Sequence, residues 1–172
     1  IEYHCGACRS SHTGRFFKAP DSEDLNRVGL SEQLYANAQL IVPDDVIPDG
    51  AETRRLHRWG YKKYRELFNV RQLLGLGTLS RLIAEVESRE LRYALATVFS
   101  DFLRYQNMLC RYDTMALKCQ DIFSVHGYPV GLVQCENNLL GIPRVGSGGY
   151  RHFIEKYDRA KAYCESPFET VF

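Results

Sequence analysis

Residues 68–109 read FNVRQLLGLGTLSRLIAEVESRELRYALATVFSDFLRYQNML, and their periodicity decides the fold class. Asn69 is placed to cap a helix, with Gln72 at the third helical position to complete a capping box. Phe68 and Leu73 fall where a hydrophobic staple clasps that end. At 100° per residue Leu76, Leu79, Leu82, Ile83 and Val86 share one side, while Arg71, Thr78, Arg81 and Glu85 share another. Polar Glu87 to Glu90 interrupts the pattern, and Ser88 offers the next cap. Leu91, Ala94, Leu95, Val98, Phe99, Phe102, Tyr105 and Leu109 then form an i, i+3, i+4, i+7 stripe. Two such stripes across so short a turn predict an antiparallel αα-hairpin, with Leu95, Val98 and Phe102 against Leu79, Ile83 and Val86. This is a core without chemistry.

Outside that stretch, composition sets broad bounds. A chain of 172 residues fits one domain, or a small module beside a larger one, and can bury a real core. Its 45% hydrophobic and 25% charged content is ordinary for a soluble globular protein. No apolar run approaches the roughly 18 residues of a membrane span. Ile1 in place of an initiating methionine predicts an internal piece of a longer protein. Of the six cysteines only Cys5 and Cys8 are closely spaced. That spacing does not read as a disulfide framework and predicts a reducing, cytoplasmic setting.

The net charge of +1 conceals an uneven distribution. Asp21, Glu23, Asp24, Glu32, Asp44, Asp45, Asp49 and Glu52 face Arg27 alone over residues 21–52. From Arg54 to Arg71 the sign reverses, with Arg54, Arg55, Arg58, Lys62, Lys63, Arg65 and Arg71 against Glu66. Such a basic run is either a polyanion site or a solvated helix surface paired with its acidic neighbour. Trp59, Tyr61, Tyr64 and Phe68 interleave the cations, an arrangement that suits phosphate neutralisation and base stacking. Trp59, just before Gly60, is the best placed for an exposed contact. Arg54, Arg55, Arg58, Trp59, Lys62 and Lys63 are therefore the candidate DNA-binding residues.

Taken in order, the chain begins with Tyr3-His4-Cys5-Gly6-Ala7-Cys8. Cys-x-x-Cys around a small residue is the knuckle that lets two thiolates hold one tetrahedral zinc ion, and Cys5 and Cys8 are the candidate metal ligands. A full ribbon needs a second ligand pair, which His4, His12 or residues upstream of Ile1 would supply. Gly14 to Lys18 supplies a following strand. Asp21 to Gln39 reads as helical around Leu30, Leu34 and Ala38, and Val42 to Gly50 as a linker. Thr53 is placed to cap a short helix toward Trp59, broken by Gly60. Asp113 to Gln120 reads as a loop or short helix, Tyr128 to Cys135 as the best strand, and Val145 to Gly149 as a turn. Tyr150 to Cys164 closes the chain as a helix with Phe153, Ile154, Tyr157 and Ala160 inward. The expected architecture is mainly α: an αα-hairpin core, a few short β-strands and an N-terminal half zinc-ribbon knuckle. It divides into a partial knuckle (1–20), an acidic helical segment and linker (21–52) and a helical domain (53–172).

Few signals favour catalysis. The Gly75-x-Gly77 pair lies inside a helical pattern and serves close packing rather than phosphate binding. Gly146 to Gly149 follows no strong strand and lacks a lysine, which excludes a P-loop. Cys110 or Cys135 with His126 would be a nucleophile and base only if the fold joined them. Glu136-Asn137-Asn138 is the most suggestive polar cluster, with a capped turn as its plain alternative.

Five blocks carry a resemblance: Arg58-Trp59-Gly60-Tyr61, Phe68 to Leu76, Tyr105 to Tyr112, Cys135 to Asn138 and Gly146-Ser147-Gly148. In this order they resemble the middle of the large adenine-specific DNA methylases that carry an inserted zinc ribbon. The likeness covers nearly the whole chain. It implies a knuckle followed by a helical insert that returns to an S-adenosylmethionine-dependent methyltransferase core. The family's Asn-Pro after the glutamate is here Asn137-Asn138. No Pro-Pro occurs, so the Asp/Asn-Pro-Pro-Tyr/Phe loop that orients the target amine is missing, as is the cofactor's Phe-x-Gly-x-Gly loop. The resemblance therefore implies a non-catalytic insert, which positions DNA or organises an enzyme that methylates a flipped adenine. Its partners would be DNA and the remainder of that methylase, with no membrane. The alternative is a protein-interaction module, with Trp59, Tyr61, Tyr64 and Phe68 docking onto the parent enzyme or a defence-system partner.

Overall fold

Helices carry most of the ordered backbone in a computed structural model that describes residues 1–5, 7, 14–143 and 145–168. In chain order the described elements are β1 (Glu2–His4), β2 (Arg15–Phe17), α1 (Ser22–Asn37), α2 (Thr53–Arg58), α3 (Val70–Ala84), α4 (Arg89–Phe102), β3 (Arg111–Asp113), β4 (Lys118–Gln120) and α5 (Tyr150–Glu165). Single 3-10 turns at Tyr64–Leu67 and Leu103–Tyr105 join them. The fold is mainly α, with two small two-stranded sheets, and separates into two units, Ile1–Ala38 and Gln39–Phe172.

In the first unit β1 and β2 pair antiparallel with Tyr3 opposite Phe16, and Cys5 N donates to Gly14 O at 2.8 Å to extend the hairpin. Asp21 caps α1 through a reciprocal box with Asp24. The Asp24 carboxylate also accepts from Tyr3 Oη at 2.7 Å, tying helix to hairpin. None of the described α1 residues is fully buried, so this unit has little core of its own.

The second unit is built on the paired helices. Asn69 Oδ1 accepts from Gln72 N at 3.0 Å, and Gln72 Oε1 from Asn69 N at 3.0 Å. Ser88 Oγ accepts from Leu91 N, starting α4 after a four-residue link. Leu76, Ile83, Val98 and Phe102 form one buried cluster with Tyr150 and Phe153 of α5, and Leu79 and Leu95 pack on it. Val86 does not join, and Leu82 and Leu91 are exposed, so the apolar stripe in contact is narrower than the sequence implies. Ala160 of α5 is likewise exposed.

The second helix is also shorter than expected. It ends at Phe102, because Asn107 Nδ2 donates to the carbonyls of Leu103 and Arg104 at 3.2 and 3.1 Å and the chain turns away. Leu109 consequently belongs to a second cluster, with Ile47, Leu56, Leu67, Ile122 and Val130. Phe68 packs against both clusters.

Four further expectations are corrected. Residues 111–120 form a β-hairpin: Asp113 Oδ1 accepts from the backbone of Met115 and Ala116 at 3.0 and 2.9 Å, and Leu117 adopts φ 49°. Residues 128–135 are a turn followed by one isolated bridge, Arg111 to Gln134, since Pro129 lacks an N–H and Gly131 sits at φ 87°. Thr53 lies within α2 rather than at its cap, and its hydroxyl donates to Pro48 O at 2.6 Å. Gly75 and Gly77 admit the loop residues Leu139 and Leu40, where close approach of another helix had been expected.

Phe102→Ala should lower unfolding free energy by about 3–5 kcal/mol in denaturant titration, whereas Leu82→Ala should change it by no more than about 0.5 kcal/mol. A Cβ at Gly149 would collide with the Gly141 backbone, so Gly149→Ala should cost about 1–3 kcal/mol in the same assay.

Candidate functional site

The basic segment is organised by a short backbone ladder. Ile47 N donates to Lys62 O at 2.8 Å and Tyr64 N to Asp45 O at 3.1 Å, with Val46 bridging Lys63 between them. Buried Ile47 anchors the ladder in its cluster. The register carries Asp44 to Lys63 Nζ at 2.6 Å and Arg65 NH1 at 3.3 Å, and these hydrogen bonds hold its carboxyl below the usual carboxylate range. Glu66 accepts from the backbone of Lys62 and Lys63 at 2.5 and 3.0 Å, which lowers its pKa and closes the 3-10 turn. Arg55 NH2 donates to Val130 O at 2.8 Å, and His57 lies 3.5 Å from Asp49.

Part of the basic run is thus paired with its acidic neighbour, and part is not. Arg54, Arg58 and Lys62 are exposed and make no ion pair among the described residues. Arg54 and Arg58, one helical turn apart on α2, lie on one face. Trp59 is 62% exposed, and the edge of its ring lies over Gly131. Tyr61 and Phe68 instead pack against the core, so only Trp59 and Tyr64 of the four aromatics present much ring to solvent.

Away from the cations, the blocks of the resemblance meet through side-chain amides. Glu136 accepts from Asn69 Nδ2 at 2.8 Å and from Arg71 Nε at 3.1 Å, and Arg71 NH2 adds a shorter bond. Asn69 is suited to this double duty, since an amide accepts at the cap and donates outward, which Asp cannot do. Asn137 Nδ2 donates to Ser147 O at 3.1 Å, Asn138 Oδ1 accepts from Gly141 N at 2.7 Å, and Gln106 Nε2 donates to Gly148 O at 3.0 Å. Met108 N donates to Leu67 O at 2.8 Å. Gly148, at φ 93°, lies where any Cβ would strike Asn137 and Tyr105. Glu136-Asn137-Asn138 is therefore a latch and a capped turn, its carboxylate occupied by Asn69 and Arg71.

The remaining candidates are separated. Cys110 is fully buried and its thiol donates to Arg104 O at 3.5 Å, while His126 is exposed with no hydrogen bond to Cys110 or Cys135 among the described residues. Cys5 follows β1, but Cys8 and His12 lie outside the described residues. His4 Nε2 hydrogen-bonds Glu2 Oε1 at 2.6 Å. Among the described residues no group of three or more His, Cys, Asp or Glu side chains is placed to hold a metal ion. No helix there is long and apolar enough to cross a membrane. Cys119, whose spacing in the sequence matches no motif, lies with Cys110 and Cys135.

No family model matches the chain, and neither a curated protein nor a solved structure matches it.

Because the folded pKa of Asp44 lies below its ordinary 3.8, its pairing stabilises the fold above that value and is lost as pH falls through the lower, folded-state value. An NMR titration of the Asp44 carboxyl carbon should show a midpoint below 3.8, returning to the ordinary value in a Lys63→Met, Arg65→Met double variant.

Proposed function

We propose that this chain is a non-catalytic insert of an S-adenosylmethionine-dependent, adenine-specific DNA methyltransferase, and that it binds the DNA backbone and helps position the substrate. The observation that carries the reading is the set of exposed cations Arg54, Arg58 and Lys62, which make no ion pair among the described residues, with exposed Trp59 in the same segment. Cations so placed neutralise phosphates by releasing counterions, while an indole face stacks on a base without reading its identity. Arg55 and Lys63 contribute at the rim, since both are held by protein partners. The reading is further supported by four of the five blocks that resemble the methylase family, which are hydrogen-bonded to one another around Asn69, Gln106, Glu136 and Gly148. S-adenosylmethionine, the methyl donor, belongs to the remainder of such an enzyme.

Fluorescence anisotropy with a labelled duplex should show weak, sequence-tolerant binding that falls steeply with salt. Neutralising Arg54, Arg58 and Lys62 together should reduce the slope of log affinity on log salt by about 2.7, at roughly 0.9 for each phosphate no longer neutralised. Absence of binding by the unaltered chain at low salt would replace this reading with a protein-docking surface around Trp59.

Cys5 and Cys8 are proposed as half of a zinc ribbon completed by residues preceding Ile1. Zinc analysis should find little metal in this chain and one equivalent in a longer chain that includes the upstream residues. Stoichiometric, chelator-resistant zinc in the present chain would instead assign the missing ligands to His4, His12 or a second copy.

A further inference from the structure

Three cysteines far apart in sequence share one face of a small strand assembly. β3 pairs β4 with Tyr112 opposite Cys119, and on its other edge Cys135 N donates to Cys110 O at 3.0 Å while Tyr112 N donates to Val133 O at 2.9 Å. Side chains alternate along a strand, so Cys110 falls on the same face as Tyr112 and its partner Cys119, and lies directly opposite Cys135. The Cys119 thiol is within hydrogen-bond reach of both other thiols. The three differ in access. Cys110 is fully buried, whereas Cys119 lines a surface cleft of about 430 Å³ with Arg104, Tyr105, Gln120, Asp121 and Ser147.

We propose that Cys119 and Cys110 form a thiol–disulfide exchange site for low-molecular-weight disulfides, independent of any role in DNA binding. The hydrogen bond from Cys119 lowers the pKa of the Cys110 thiol, whereas deprotonation of Cys119 is opposed by Cys110 and Cys135 beside it. An incoming disulfide, RSSR, reaches Cys119 from the cleft. Cys119 gives its proton to solvent as its sulfur attacks one sulfur of RSSR, forming a mixed disulfide between Cys119 and one SR group and releasing the other as RS⁻. Cys110 then loses its proton in the same way and attacks the Cys119 sulfur, expelling the second RS⁻. The two protons end on the two RSH released, and the two electrons that reduce RSSR come from the sulfurs now joined as Cys110–Cys119.

The test uses oxidised glutathione on the complete chain, followed by alkylation, proteolysis and mass spectrometry. Exposed Cys164 serves as an internal reference for reaction with the reagent. The expected product joins the peptides carrying Cys110 and Cys119, is two hydrogens lighter than its reduced parts and retains no glutathione. Cys135→Ser should still form this link, and Cys110→Ser should leave glutathione trapped on Cys119. Should Cys110→Ser fail to fold by circular dichroism, the unaltered chain and Cys135→Ser decide the matter. A Cys119 that stays alkylatable after Cys164 has reacted, or a link to Cys135 in the unaltered chain, would overturn the proposal.

Discussion

Phe102 is the contact on which the helical part of the larger unit depends. Its ring is fully buried at the last position of α4 and meets Tyr150 and Phe153 edge-on, with centroids 5.3 and 5.9 Å away. Edge-to-face geometry sets the positive rim of one ring against the negative face of another, so the trio specifies orientation as well as burial. Because α5 comes from the far end of the chain, these contacts close a long loop. Everything between residues 103 and 149 is thereby held to two fixed ends.

Among its described residues that intervening chain holds no α-helix beyond the 3-10 turn at Leu103–Tyr105, and its polarity explains why. Gln106 and Asn107 are buried amides; Asn107 takes backbone carbonyls that helix continuation would have paired with later turns, and Gln106 bonds a distant loop carbonyl. Asn107 draws the carbonyls of Leu103 and Arg104 to itself and receives Leu109 N at 3.0 Å. Gln106 reaches Gly148 immediately before α5. The turn moves Leu109 from the helical cluster into the one built on Ile47, Leu56 and Val130. Two clusters thus share one stretch of chain, and Phe68 packs on both.

The same economy governs charge. A ladder of backbone bonds between residues 45–47 and 62–64 decides which cations meet carboxylates, since it delivers Asp44 to Lys63 and Arg65 and leaves Arg54, Arg58 and Lys62 outward. Exposed ion pairs of this kind contribute little to stability, so their consequence is the shape of the local field. A run of seven cations in the sequence becomes a smaller patch beside Trp59.

Local signals were legible in the sequence because their physics is local. Asn69 with Gln72, and Ser88, each cap a helix through atoms three residues away, and the hydrophobic period of residues 70–102 requires a buried face whatever covers it. The mainly helical class follows from these alone. Tertiary structure decided what depends on distant partners: the end of α4 at Phe102, the turn at Pro129 to Leu132, and the occupation of Glu136 by Asn69 and Arg71. It also brought Cys119 beside Cys110 and Cys135, because a strand register is a relation between segments and no single segment encodes it. Capping and periodicity act over one helical turn, whereas pairing and burial act across the whole chain, and only the folded molecule brings both to one place.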